Sequence, residues 1–244
     1  MAIAVFGDIH GNLEALDAIL KHIKKNRNIK ETYFLGDAIT FGPDSSACLK
    51  MLKRAGVQCV LGNHEQRITK YDDSAKARTF ADKEHIEYVF NSLDRDDLEF
   101  VRSMPLELII DYKGFKVCFT HYSHDQSGKV REEQDEFSEH NMKKLFAYTK
   151  CNVVFFGHLH RRKILIDEEK HSYILNGSSG CVKGNTTFYT YFDINAEFGD
   201  DPNFDIYRVD IKYNRKKFEE KMLASTLPQK ADYAPHCFGI NIKE

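Results

Sequence analysis

The most constraining feature of the chain is a local grammar used five times. "AIAVFGD", "TYFLGD", "VQCVLGNH", "KVCFTH" and "NVVFFGH" are short apolar runs rich in β-branched and aromatic residues. Each ends in Gly or Thr followed at once by a side chain able to bind a metal. Continuous apolar runs of this length read as strands buried on both faces of a parallel sheet. Helical patterns separate the early runs. Asn12 can cap a helix over 13–25 with Leu13, Leu16, Ile19, Leu20 and Ile23 on one face, and Asp44 or Ser45 can start another with Cys48, Leu49 and Leu52 facing inward. Alternating strands and helices predict an α/β fold, in which ligands collect at the carboxyl ends of the strands.

The second half reads differently. "KILIDEE", "HSYILNGSS", "TTFYTYFDI" and "FDIYRVDIKY" are closely spaced strand patterns with turn residues between them, which predicts a more antiparallel sheet, and an amphipathic helix is expected at about 214–224. No Pro/Gly-rich linker divides the chain, so residues 1–244 are expected to form one domain with two packed sheets. The charged, helix-patterned segment 65–103 lies between two ligand-bearing strands; it is either a lobe overlooking the site or a solvated helical hairpin.

Composition narrows the partners. Lysine and arginine number 35 against 37 aspartates and glutamates, a formal net charge of −2, which argues against a dedicated nucleic-acid or anionic-membrane surface. No stretch approaches the roughly 20 apolar residues that span a bilayer. The opening "MAIAVFGD" reaches an acid too early for a secretory signal. The six cysteines contain no C-x-x-C pair, and Cys59, Cys118 and Cys151 sit in or beside strand-like runs, so a reduced, cytoplasmic protein is expected.

The five strand ends supply Asp8 and His10, Asp37, Asn63 and His64, His121, and His158 and His160. Taken singly, each has an ordinary reading: Asp8 as a helix cap, Asp37 and Asn63 as turn residues, His121 as a core or surface histidine. Five coincidences of one kind at strand termini favour a metal site. Carboxylate, amide and imidazole donors without a thiolate suit Mn, Fe or Zn better than Ca or a structural zinc. In extended chain the i, i+2 pairs Asp8/His10 and His158/His160 would project to one side, about 6.5 Å apart. Seven of these eight candidates already exceed one tetrahedral ion and fit two ions, for which a carboxylate such as Asp37 is a natural bridge.

"GDIHGN", "GDAITFGP", "LGNHE", "TH" and "GHLH" together resemble the ordered motifs of the calcineurin-like metallophosphoesterases, over residues 5 to 160. "NGSSG" at 176–180 resembles the Asn-Pro-Gly-Ser stretch of the smaller bacterial and archaeal members, with Gly177 in place of proline. The resemblance implies a four-layer α/β/β/α sandwich with two mixed β-sheets flanked by helices. It implies a dinuclear centre with Asp8, His10 and His160 on the first metal, Asn63, His121 and His158 on the second, and Asp37 bridging. His64 would face the phosphoryl group as a general acid or charge stabiliser, its ordinary pKa near 6.5 suiting that work. Two ions about 3.5–4 Å apart would clamp phosphoryl oxygens and lower the pKa of a bound water, giving an in-line hydroxide. Manganese is the first expectation, with iron, zinc or nickel as alternatives.

The departures bear on substrate. Protein Ser/Thr phosphatases and diadenosine tetraphosphate hydrolases, which the motifs also resemble, carry one arginine in "GDxxDRG" and another just before "GNHE". Here the matching positions are Phe41-Gly42 and Leu61. A phosphodiester or phosphoanhydride substrate is expected, such as a nucleotide like diadenosine tetraphosphate, with Arg67, Tyr122 and His124 as candidate substrate contacts. The alternatives are a phosphomonoesterase, an atypical protein phosphatase, and a non-catalytic scaffold like the retromer subunit of this fold.

Overall fold

The computed structural model describes residues 1–73, 83–125, 127–131, 136–194 and 204–242. The first helical motif begins with β1 (Ala2–Phe6), whose residues are all buried. Asn12 then caps α1 (Leu13–Lys25) by accepting the Ala15 amide at 3.1 Å. Parallel to β1 runs β2 (Ile29–Phe34), followed by α2 (Ser45–Arg54) and the short β3 (Gln58–Cys59). Of the segment 65–103, residues 74–82 lie outside the described residues; the rest forms α3 (Asn63–Asp73), α4 (Lys83–Ser92) and α5 (Arg95–Ser103). These helices are not a solvated hairpin. Ile68, Ile86, Val89 and Val101 are buried in one core with α1, α2 and the outer face of β1.

The antiparallel pair β4 (Glu107–Tyr112) and β5 (Phe115–Thr120) leads to α6 (Glu139–Phe146), β6 (Val153–Phe156), β7 (Lys163–Ile166) and β8 (Ser172–Leu175). The chain then crosses to the first sheet as β9 (Thr186–Ile194) and β10 (Phe204–Lys212), and ends in α7 (Arg215–Ala224) and α8 (Lys230–Phe238). The described strands form two five-stranded sheets, ordered β10-β9-β1-β2-β3 and β4-β5-β6-β8-β7. Both mix parallel and antiparallel pairs.

Strand periodicity builds the layers. Ala2, Ala4 and Phe6 face the helices, while Ile3 and Val5 face the other sheet. There they meet Val117, Phe119, Val153 and Phe155, with Tyr33 stacked on Phe119 at a ring distance of 3.8 Å. Cys118, Val154 and Phe156, on the outer face of the second sheet, pack on Met142, Leu145 and Phe146 of α6. The result is the expected α/β/β/α sandwich.

The second-half strands depart from the expected antiparallel sheet. β7–β8 and β9–β10 are antiparallel pairs, but they lie in different sheets, and β8 pairs with β6 in parallel. The separating segment, 176–185, passes over the carboxyl ends of both sheets. The helix expected at about 214–224 is α7, burying Phe218 and Met222. Helix α8 has no clear sequence signal because Pro235 lies inside it; burial of Ala234 and Phe238 against the α7 side chains overrides that local cost.

Phe155 is fully buried between the sheets. Phe155→Ala is expected to destabilise the protein by about 3–5 kcal/mol, read as a lower urea midpoint at unchanged slope. An unchanged midpoint would show that this layer does not carry the packing assigned to it.

Candidate metal centre

The strands stop short of the chemistry. β1 ends at Phe6, and Asp8 and His10 lie in the following turn with φ of +52° and +48°; Asp37, His158 and His160 also adopt left-handed backbone, at +59°, +71° and +53°. The i, i+2 pairs therefore do not project from extended chain, as their spacing suggests. Sharp turns re-aim them, and hydrogen bonds between loops hold the turns. Asp8 N donates to Gly36 O, His10 N to Asp37 O and Gly157 N to His121 O, at 2.9–3.0 Å. Non-glycine residues in this region cost about 1–2 kcal/mol each and persist where the surroundings over-determine them.

Asp37 lies at the centre. Its Oδ2 is 3.2 Å from His121 Nε2, 3.8 Å from His10 Nε2 and 3.9 Å from His64 Nε2. Its Oδ1 accepts the His64 amide at 3.0 Å, placing a carboxylate at the N-terminus of α3, where the helix dipole favours it. Gly62 makes this approach possible, since a Cβ there would lie 2.2 Å from Asp37 Oδ1.

Two groups of donors flank this carboxylate. On one side His10 Nε2 and His160 Nε2 are 3.0 Å apart, with Asp8 Oδ1 3.5 Å from His160. On the other side Asn63 Oδ1 lies 2.8 Å from both His121 Nε2 and His158 Nδ1. His121 Nδ1 donates to Leu35 O at 2.7 Å and His10 Nδ1 lies 3.2 Å from Ile39 O, which turns both Nε2 lone pairs inward. Asp8 Oδ2 is buried without a hydrogen-bond partner. Converging lone pairs and an orphaned carboxylate oxygen are a donor set that fits divalent cations of the Mn, Fe and Zn type.

The site's charges are strongly coupled. Burial opposes protonation of His121, but Asp37 beside it lifts the imidazole to about 10. Burial drives His10 well below its ordinary value, with Asp37 opposing. His64 is pushed down to about 4 by burial, against Asp37 and with a further push from Arg67. Its Nδ1 is 2.8 Å from Thr40 Oγ1. His64 is thus neutral at pH 7, unlike the ordinary imidazole assumed for a general acid, and nearby cations would reinforce that state.

The other sequence candidates are dispersed. Arg67, on α3, is close enough to act on His64. Tyr122 is buried behind His158, its ring 5.0 Å from that imidazole and packed toward Phe146 and Phe156. His124 contacts Glu107 at 3.5 Å, and its ring lies tilted against that of Tyr148.

Glu65 has a role that sequence reasoning left open. It is fully buried and accepts the backbone amides of Asp37, Ala38, Ile39 and Gly62 at 2.8–3.3 Å. One carboxylate thereby fixes the turn that carries Asp37. Its position directly after "GNH" is the only sequence signal. Phe41 forms a wall beside the site, its ring 4.8 Å from His10 and 4.9 Å from His64, with His85 of α4 accepting its amide at 3.2 Å.

A family model described as calcineurin-like phosphoesterase matches residues 1–162. The chain is 30% identical over 246 residues to an uncharacterized protein, MJ0912, of Methanocaldococcus jannaschii, covering 93% of this chain and 94% of that one. It is 32% identical over 109 residues to a symmetrical bis(5'-nucleosyl)-tetraphosphatase of Haemophilus ducreyi, covering 43% of this chain and 40% of that enzyme. A metallophosphoesterase from Sphaerobacter thermophilus shares the fold, with a TM-score of 0.67 at 20% identity over 94% of this chain and 96% of that one. The chain belongs to the calcineurin-like phosphoesterases, metal-dependent hydrolases that act on phosphoester bonds. Among the described residues no helix is long and apolar enough to cross a membrane.

Glu65→Ala strands four buried amides, and each unsatisfied donor costs about 1–3 kcal/mol. The variant is expected to lose at least about 4 kcal/mol in thermal or urea denaturation, together with its metal affinity. Wild-type stability would mean that the carboxylate does not hold the turn.

Proposed function

We propose that this protein hydrolyses a phosphodiester or phosphoanhydride bond, on a nucleotide such as a dinucleoside polyphosphate, with two bound divalent ions. The observation that carries this reading is the central Asp37 carboxylate between two donor groups, His10/His160/Asp8 and Asn63/His121/His158. The first group would hold one ion, the second the other, and Asp37 would bridge them. Manganese is our first choice, with iron, zinc and nickel as alternatives. When bound, such ions neutralise phosphoryl charge and activate water.

The residues around the donors supply the rest. His64, neutral and oriented by Thr40, would present Nε2–H to a phosphoryl or leaving-group oxygen; that is a hydrogen-bonding and charge-stabilising role, with proton delivery limited by its depressed pKa. Arg67 would add positive charge beside it. Phe41 replaces a phosphate-gripping arginine with an aromatic face against His10 and His64, which suits an ester carrying an apolar ring better than a bare monoester dianion. Similarity to a bis(5'-nucleosyl)-tetraphosphatase supports the same substrate class. The assembled donor set argues against a non-catalytic scaffold.

Protein loaded with Mn, Fe, Zn or Ni should turn over bis-p-nitrophenyl phosphate and diadenosine tetraphosphate in preference to p-nitrophenyl phosphate. Chelator dialysis should abolish turnover and metal return should restore it. A monoester preference would overturn the substrate class, and full activity after chelation would overturn the metal requirement. His64→Ala should keep its metal content while turnover falls by ~10²–10³, as for loss of one charge-stabilising donor; parallel loss of metal would make His64 a ligand instead.

A further inference from the structure

The donor set read from the strand ends contains no thiolate, yet the fold brings one to it. Cys181 follows the segment that crosses from the second sheet to the first. Ser178 Oγ donates to Asp8 O at 2.7 Å and accepts the Cys181 amide at 2.8 Å. Ser179 N donates to Gly7 O and Gly180 N to Asp8 O, both at 3.0 Å, and Asn12 Nδ2 donates to Gly180 O at 2.9 Å. Gly180 lies so close to the β1 turn that a Cβ would be 1.9 Å from Ile9 O. The crossing segment is therefore bound to the backbone that carries Asp8 and His10.

The consequence is a mixed nitrogen–sulfur cluster. Cys181 Sγ and one ring nitrogen each of His10 and His160 lie within 4.8 Å of one another. Donors to one ion, at about 2.1 Å for nitrogen and about 2.3 Å for sulfur, are at most about 4.4 Å apart. The 4.8 Å bound exceeds that limit by a few tenths of an ångström for donors on opposite sides of an ion, and exceeds the tetrahedral separation of about 3.6 Å by about 1.2 Å. Beside it, buried Asp8 Oδ2 has no partner. On α8, Cys237 packs in the same side-chain cluster as Cys181.

Resting on the dinuclear reading above, we propose that Cys181 is a thiolate ligand of the ion held by Asp8, His10 and His160. Binding would exchange the S–H bond for a sulfur–metal bond and release the proton to solvent. A soft donor on one ion and none on the other would make the two positions unequal, the first favouring zinc, iron or cobalt and the second accepting manganese.

Cobalt(II)-loaded protein tests this by absorption, independently of activity. Visible ligand-field bands report that the centre binds metal, and a near-ultraviolet sulfur-to-cobalt charge-transfer band reports the thiolate. Wild type should show both. Cys181→Ser should lose the charge-transfer band and keep the visible bands, while Cys237→Ser keeps both. A wild type with visible bands but no charge-transfer band overturns the sulfur ligand and leaves the metal centre standing. Absence of visible bands overturns both readings. A band that survives Cys181→Ser, or disappears in Cys237→Ser, overturns the assignment to Cys181. Cadmium NMR of the wild type gives a check without any variant: a thiolate donor moves one resonance far downfield, and two resonances both in the oxygen–nitrogen range contradict the proposal.

Discussion

The site is organised by the burial of Asp37. A carboxylate removed from water must be matched by donors or cations, and here three imidazoles stand within 3.2–3.9 Å of one of its oxygens while a helix N-terminus meets the other. The surrounding architecture meets that requirement. β2 delivers Asp37, β1 and β6 deliver the neighbouring loops, and Glu65 ties the turn through four amides. Without a cation, protons occupy the space, as the raised His121 illustrates; in the proposed centre the same lone pairs would become ligands.

Rigidity follows from the same requirement. Asp8, His10, Asp37, His158 and His160 all hold left-handed backbone, which is costly in a flexible loop. Inter-loop hydrogen bonds from Asp8, His10, Gly157 and Gly180 offset that cost, and close glycine contacts admit no slack. Such a site presents its donors in fixed directions before any ion or substrate arrives, which is the condition for strong electrostatic stabilisation of a reacting phosphoryl group.

Much of this was legible in the sequence because local rules and the fold agree. The apolar runs became β1, β2, β3, β5 and β6; Asn12 and Asp44 stand at the starts of α1 and α2; and the seven donor residues meet. What escaped was non-local. Nothing near Glu65 reveals that its carboxylate faces a turn 26–28 residues away in sequence. The depressed pKa of His64 comes from burial, with a further push from Arg67 and against the pull of Asp37, which no spacing rule captures. Likewise, "NGSSGC" reads as a loop after a strand, and only its crossing between the sheets brings Cys181 to His10 and His160. Helix α8 was hidden by Pro235, whose local penalty is outweighed by tertiary packing.

The central claim is that two ions share Asp37. Anomalous diffraction from crystals of chelator-stripped protein grown with excess cobalt, recorded at the cobalt edge, tests it without reference to substrate. Two peaks should flank the Asp37 carboxylate, one among Asp8, His10 and His160 and the other among Asn63, His121 and His158. A single peak, or two peaks that do not both contact Asp37, would contradict it.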